Sequence, residues 1–417
     1  MKLIKTILKN GLRVIKVPME GTETVTAIVL VGTGSKHEKK ETSGLSHFLE
    51  HMMFKGTKKR PNTKILTEVL DRVGGVYNAF TGEEYTGYWI KVDSSHSDLA
   101  LDVLSDMLLN SKIPSVEVER EKGVILEEIK MYQDQPVDYV GELYEKLLYG
   151  NQPAGWPIIG NKKTVNSFKR KDFIKYYNSQ YKAGNMVVVL AGNIGALNVE
   201  KYFGGVKSGE SGGKPEVKIN QKKPAVLVYK KAVDQTHLVV GFRAYNLFHK
   251  DRYALVLLAS ILGGMMSSRI WLSVRERQGL AYSVRTMADM STDCGSLLTQ
   301  AGVGHAKVEQ AIGAIMKEYK LIRDKKVSKS ELDKVKENLK GKLLIGMEAS
   351  DAVATSFAMQ EVLVGKTVTP KQIINRVNKV TPDDIQRVAR DIFKESGLNL
   401  CMITNKERKN IDKLLVV

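Results

Sequence analysis

Seven residues, Ser46-His47-Phe48-Leu49-Glu50-His51-Met52, place two imidazoles and a carboxylate within little more than one helical turn. On a helix, positions i and i+4 stand one above the other, so His47 and His51 can both reach one metal ion. Glu50 lies at the edge of the same face, where its carboxylate can hold a metal-bound water rather than the metal. An amphipathic helix would account for either histidine alone. The full His-x-x-Glu-His pattern arises by chance in on the order of one per hundred chains of such composition, and it favours a metal site.

Two histidines do not complete such a site. A catalytic zinc takes three protein ligands and keeps one position open for water. The richest source of a third ligand is Glu117-Val118-Glu119-Arg120-Glu121-Lys122-Gly123-Val124-Ile125-Leu126-Glu127-Glu128. Glu121 and Glu128 are seven apart and share a helical face, while Val124, Ile125 and Ile129 are expected to bury the other side. A solvated acidic face is the ordinary fate of such a run, and spacing does not choose among Glu128, Glu127 and Glu121.

The elements that must position these residues can be read in order. Asn10-Gly11 is a turn between two N-terminal strands. The β-branched run from Thr24 to Gly32 reads as a buried strand. Ser43 is the expected cap of the histidine helix, which should stop near Lys55-Gly56. Asn62-Thr63 caps a second helix over 64–73, and segments 76–80 and 85–92 form two strands joined by a Gly-containing turn. Helical spacing marks 99–109, 116–132, 139–149 and 171–180, and 186–191 is a strand. The stretch GGVKSGESGGK, residues 204–214, is a linker by composition.

Beyond the linker the pattern returns at an offset of about 212 residues. Leu12-Arg13-Val14-Ile15 is answered by Pro224-Ala225-Val226-Leu227, Glu119 by Glu331, and Asp172-Phe173 by Asp384-Ile385. This predicts two copies of one α/β unit. At the shifted positions His47, Glu50 and His51 become Ala259, Leu262 and Gly263, and Glu128 becomes Lys340. A metal site therefore belongs to the first copy alone.

Composition bounds the function. At 417 residues the chain should hold two or three domains, and 43% hydrophobic with 26% charged residues is the balance of a soluble globular protein. No apolar run approaches the roughly 18 residues needed to cross a bilayer, so no membrane partner is expected. Lys5, Lys9, Asn10 and Arg13 interrupt any secretory core. The net charge of +18 is spread along the chain, without a basic arm or an aromatic RNA-binding signature, which argues for a Lys-rich surface and against nucleic acid. Cys294 and Cys401 form no metal or redox motif, and a reducing, cytoplasmic setting is the default.

His47-x-x-Glu50-His51, with a glutamate 77 residues beyond His51, resembles the inverzincin metallopeptidases, a group that includes pitrilysin, insulin-degrading enzyme and the mitochondrial processing peptidase. The resemblance covers nearly the whole chain. It implies an α+β fold of two homologous α/β domains, of the LuxS/mitochondrial processing peptidase type: a zinc-binding catalytic domain over 1–203, the linker over 204–214, and a homologous domain without zinc ligands over 215–417. It makes Glu128 the third ligand beside His47 and His51, with one zinc ion per chain, and Glu121 the carboxylate that supports the ligands from behind. Asn78 and Ala79, within Val73 to Thr81, match the family's substrate-lining edge strand, which would bind extended peptide through its backbone. Arg275 and Tyr282, in the block from Gly263 to Ser283, match residues of the second half that bind substrate and stabilise the oxyanion.

The implied activity is zinc-dependent endopeptidase hydrolysis of peptides or small unfolded polypeptides in an enclosed cavity, with Glu50 as general base. The resemblance also implies a homodimer, or a heterodimer with an inactive relative. The competing reading is a non-catalytic scaffold or regulatory subunit of a peptidase-like complex.

Overall fold

The computed structural model describes residues 2–406, 408 and 410–417. Along the first half run β1 (Ile4–Ile7), β2 (Arg13–Pro18), β3 (Thr24–Val31), α1 (Leu45–Met52), α2 (Thr63–Asp71), β4 (Val76–Thr81) and β5 (Thr86–Asp93). Next come α3 (Ser97–Asn110), α4 (Ser115–Asp134), α5 (Pro136–Tyr149), α6 (Lys162–Ser167), α7 (Arg170–Gln180), β6 (Met186–Gly192) and α8 (Val199–Phe203). No helix or strand occupies 204–224. The second half holds β7 (Ala225–Lys230), β8 (Thr236–Arg243), α9 (Arg252–Gly263), β9 (Ala281–Met290), β10 (Gly295–Val303), α10 (Val308–Asp324) and α11 (Lys329–Gly346). It closes with α12 (Ser350–Val364), α13 (Pro370–Asn378), α14 (Pro382–Ile392) and β11 (Leu398–Thr404). The duplication is plain in the element starts: Thr24 and Thr236, Arg170 and Pro382, and Met186 and Leu398 open matching elements 212 residues apart.

Two sheets result, ordered β1-β2-β6-β3-β5-β4 and β7-β11-β8-β10-β9. Strands β3, β6, β8 and β11 are buried nearly end to end, as strands covered on both faces must be. One face of the first sheet packs on the main core with Leu45, Phe48, Leu49 and Met52 of α1 and with α3 and α7. Its opposite face presents Ile15, Val17, Ile28, Leu30, Val187 and Val189, which are covered by Val353, Ala354, Phe357 and Ala358 of α12.

The compact units therefore differ from the linear halves, 1–203 and 215–417. The first unit is Met1–Lys130, Trp156–Pro215 and Leu343–Thr369; the second is Met131–Gly155, Glu216–Lys342 and Pro370–Val417. Each half of the sequence gives one helix to the other's sheet. In the first unit Thr26 bonds Ser350 at 2.8 Å, and Glu361 takes Lys5 at 2.7 Å and Arg13 at 3.1 Å. In the second, α5 covers Val239, Cys401 and Ile403 with Val140, Leu143 and Tyr144. The physical reason is that each sheet carries two apolar faces and its own half covers one of them.

Two local expectations change. Ser43 does not cap α1: the N-cap position is Gly44, at φ 95°, with no side chain to offer. Val124 is not on the buried side of α4; it is 50% exposed, while Ile125 and Ile129 are buried. Among the described residues no helix is long and apolar enough to cross a membrane.

Candidate metal centre

Helix α1 buries Leu45, Phe48, Leu49 and Met52 on one side, Phe48 packing edge-on to Phe168 and Phe173. The 3.6-residue period then turns His47 and His51 to the other side, their ring centroids 4.7 Å apart. Beyond the helix, Gly56 at φ 113° reverses the chain, as a helix stop requires. Thr57 donates to Asp106 at 2.5 Å, and Arg60 grips Asp106 at 2.9 Å and Asp102 at 2.7 Å, anchoring the segment that follows α1. Asn62 accepts from the Ile65 N–H and caps α2 as expected.

The long helix α4 brings Glu121 and Glu128 to the histidines. One donor atom each from His47, His51 and Glu128 lie within 4.8 Å of one another. His47 Nε2 stands 3.7 Å from Glu128 Oε1, and His51 Nε2 stands 3.7 Å from Glu128 Oε2. These separations are too long for hydrogen bonds. They are close to the roughly 3.4 Å between two donors on one tetrahedral zinc with bonds of about 2.0–2.1 Å. Glu128 Oε2 is buried and has no hydrogen-bond partner, which is costly for an acceptor that serves nothing else. Two imidazoles and a carboxylate in this arrangement fit a zinc ion.

Glu121 faces the back of the site. Its Oε1 lies 2.9 Å from His51 Nδ1 and its Oε2 meets Lys55 Nζ at 2.6 Å. A carboxylate on Nδ1 holds the proton there and leaves Nε2 free to ligate, the usual way a metal-binding histidine is oriented. Glu127, which spacing alone could not exclude, instead pairs with Lys130 at 2.6 Å on the exposed side of α4.

The electrostatics follow from burial and neighbours. Burial, helped by the His51 charge, pushes His47 down to about 3 and keeps its imidazole neutral, the form that ligates. Burial works against a charge on His51 as well, but Glu121, Glu128 and Glu50 outweigh it and raise its pKa. Burial raises Glu128 and Glu50; for Glu50 the Thr81 hydrogen bond and the His51 charge pull the other way. Burial would raise Glu121 too, yet its bonds to His51 and Lys55 leave it lowered and ionised.

Thr81, at the end of the segment from Val73, carries no local pattern that marks it out. Its hydroxyl donates to Glu50 Oε2 at 2.6 Å, leaving Oε1 as the other oxygen of that carboxylate. Thr81 closes β4, the open edge of the first sheet, on which Asn78 and Ala79 also lie. Asn78 is exposed, and its side chain accepts from the Ala79 N–H at 2.9 Å, occupying an edge donor that an incoming strand could use.

In the second unit, Arg275 belongs to a π-helical stretch, Trp271–Arg277, and Tyr282 is the second residue of the edge strand β9. The Arg275 guanidinium stacks 5.2 Å from the Trp271 ring centroid and 5.3 Å from that of Tyr282, which is 80% exposed. The two expected residues are thus brought to each other.

Comparison with known proteins agrees with this geometry. Residues 13–162 match insulinase (peptidase family M16), and residues 167–339 match the peptidase M16 inactive domain. The chain is 37% identical over 394 residues to an uncharacterized zinc protease, YmxG, of Bacillus subtilis, covering 93% of this chain and 95% of that one. It is 34% identical to an uncharacterized zinc protease of Rickettsia felis, covering 93% and 94%. Its fold is similar to the crystal structure of a protease from Helicobacter pylori, with a TM-score of 0.90 and 26% identity over 97% of this chain and 99% of that one. The second match falls on the copy in which Ala259, Leu262 and Gly263 replace the histidines and glutamate, so sequence, fold and site geometry converge: the chain belongs to the insulinase family of peptidases, M16.

Proposed function

We propose that this chain is a zinc-dependent metalloendopeptidase acting on peptides or small unfolded polypeptides. The observation that carries the reading is the convergence of His47, His51 and Glu128 beside a buried Glu50 whose orientation is held by Thr81. His47, His51 and Glu128 would hold one zinc ion per chain, which when bound would supply Lewis acidity and lower the pKa of water to about 7.

The chain's own residues do the rest. Glu50 takes the proton from the attacking water at its carboxylate and later delivers it to the leaving amine. Its raised pKa suits a group that must hold the proton between those two events. Thr81 keeps the carboxylate from rotating between the steps. Glu121 and Lys55 hold His51 in one tautomer. The open edge of β4 offers backbone groups to an extended peptide once the Asn78 side chain releases the Ala79 N–H. Arg275 and Tyr282, stacked on one another, offer hydrogen-bond donors to substrate carbonyls. The active assembly is a dimer, most simply of two copies of this chain.

Digestion of a peptide mixture by wild type and by Glu50→Gln, with metal analysis of both, tests the reading. The variant should retain zinc and lose turnover. A Glu50→Gln chain that cleaved peptides at the wild-type rate would remove Glu50 from its role, and two metal-replete but inactive chains would favour the scaffold reading.

A further inference from the structure

Helix α1 is eight residues long, and a helix so short has little stability of its own. Its first turn carries His47, and its leading N–H groups have no partners within the helix. The usual remedy is a Ser, Thr, Asp or Asn side chain at the N-cap, and Gly44 has none. Gly44 cannot be replaced by such a residue: it sits at φ 95°, and a Cβ there would meet the Ile159 carbonyl oxygen at 2.6 Å and Gly160 Cα at 2.7 Å.

The missing cap comes from upstream. Glu38 Oε2 accepts from the Gly44 N–H at 2.7 Å, and Oε1 accepts from the Ser46 N–H at 2.6 Å. Glu38 is 1% exposed. The Ser46 hydroxyl is tied in turn to Tyr176 at 2.7 Å, and Tyr176 to Thr33 at 2.9 Å, so the first turn is fixed through both its backbone and its side chain. A carboxyl group at a helix N-terminus also meets the positive end of the helix dipole. None of these contacts reaches the ligands or the general base directly.

We propose that Glu38 is the positioning residue of the metal centre: by capping α1 in place of the absent N-cap side chain, it holds His47 in register with His51 and Glu128. The role rests on the metal reading of that site. Glutamine at position 38 keeps one acceptor but sets an NH2 donor against a backbone N–H, so the two-point grip is lost with little change in volume. Aspartate keeps both acceptors but shortens the reach, and should recover part of the function.

The test measures zinc affinity by chelator competition, together with kcat and thermal stability, for the wild type, Glu38→Gln, Glu38→Asp and Glu361→Gln. Glu361 is the control: it is equally buried in the same unit and bonds Lys5 and Arg13. Both glutamine variants should lower the melting temperature. Only Glu38→Gln should weaken zinc binding, by about tenfold or more, the scale seen when groups supporting metal ligands are removed. Glu38→Asp should fall between it and the wild type. Equal zinc affinity in wild type and Glu38→Gln, or an equal loss in Glu361→Gln, overturns the assignment and leaves the metal reading intact. A wild-type chain that takes up no zinc overturns the metal reading itself.

Discussion

At the scale of single residues, the chemistry divides between groups whose pattern is local and groups that distant chain supplies. His47, Glu50 and His51 are set by one helical period, and that period is legible in seven letters. The choice of Glu128 over Glu127 is not, because both lie on one charged helix. The packing of α4 turns Glu128 inward and leaves Glu127 beside Lys130. Thr81 shows the same limit: it lies 31 residues from Glu50 in sequence and 2.6 Å from it in space. Replacing Thr81 by Val removes a hydrogen bond to a carboxylate that must cycle its proton. We expect kcat to fall about tenfold to a hundredfold, in line with the roughly 1.5–3 kcal/mol of a bond to a charged group. Zinc content should not change, because Thr81 touches no ligand; metal analysis beside steady-state kinetics would reveal a loss of zinc if that is wrong. Chelation should abolish turnover, and added zinc should restore it.

At the scale of elements, the histidine helix is held at both ends by residues outside it. The Asp102, Asp106 and Arg60 group fastens the segment after it, and Glu38 caps its start. Burial pushes the Glu38 carboxyl up from its ordinary value, against the pull of the Ser46 and Gly44 N–H groups, and short bonds from two N–H donors to its two oxygens are those of an ionised carboxylate. Sequence offers little sign of this residue, since a carboxylate reaching forward six and eight positions across a turn follows no local capping pattern. The one clue is negative: Gly44 stands where a capping side chain belongs.

At the scale of the whole molecule, duplication and helix exchange decide how far each half can stand alone. Phe357 of α12 is fully buried against the first sheet although it lies in the second half of the sequence. Truncating it to Ala should cost about 3–5 kcal/mol, the range for a buried aromatic, read from denaturant unfolding. A fragment ending at the linker lacks α12 and exposes Ile15, Val17, Ile28 and Leu30. It should be insoluble or unfolded by circular dichroism; a folded, monodisperse fragment would show that the exchanged helix is dispensable. Sedimentation of the intact chain should report a dimer, and an active monomer would contradict that proposal.

The sequence by itself determined the two copies, the histidine helix with its glutamate and the absence of that set from the second copy. These rest on periodicity and composition, which act over one or two turns or repeat at a fixed offset. The tertiary structure brings Glu128 to the histidines, as the family resemblance implied, and it alone decided that Glu38 binds the start of the helix, that Thr81 bonds Glu50, and that each half borrows a helix from the other. Those outcomes depend on which surfaces come together when apolar faces are buried, and the same short-range pattern is compatible with several such pairings. The candidate metal site begins in seven residues and is completed by packing.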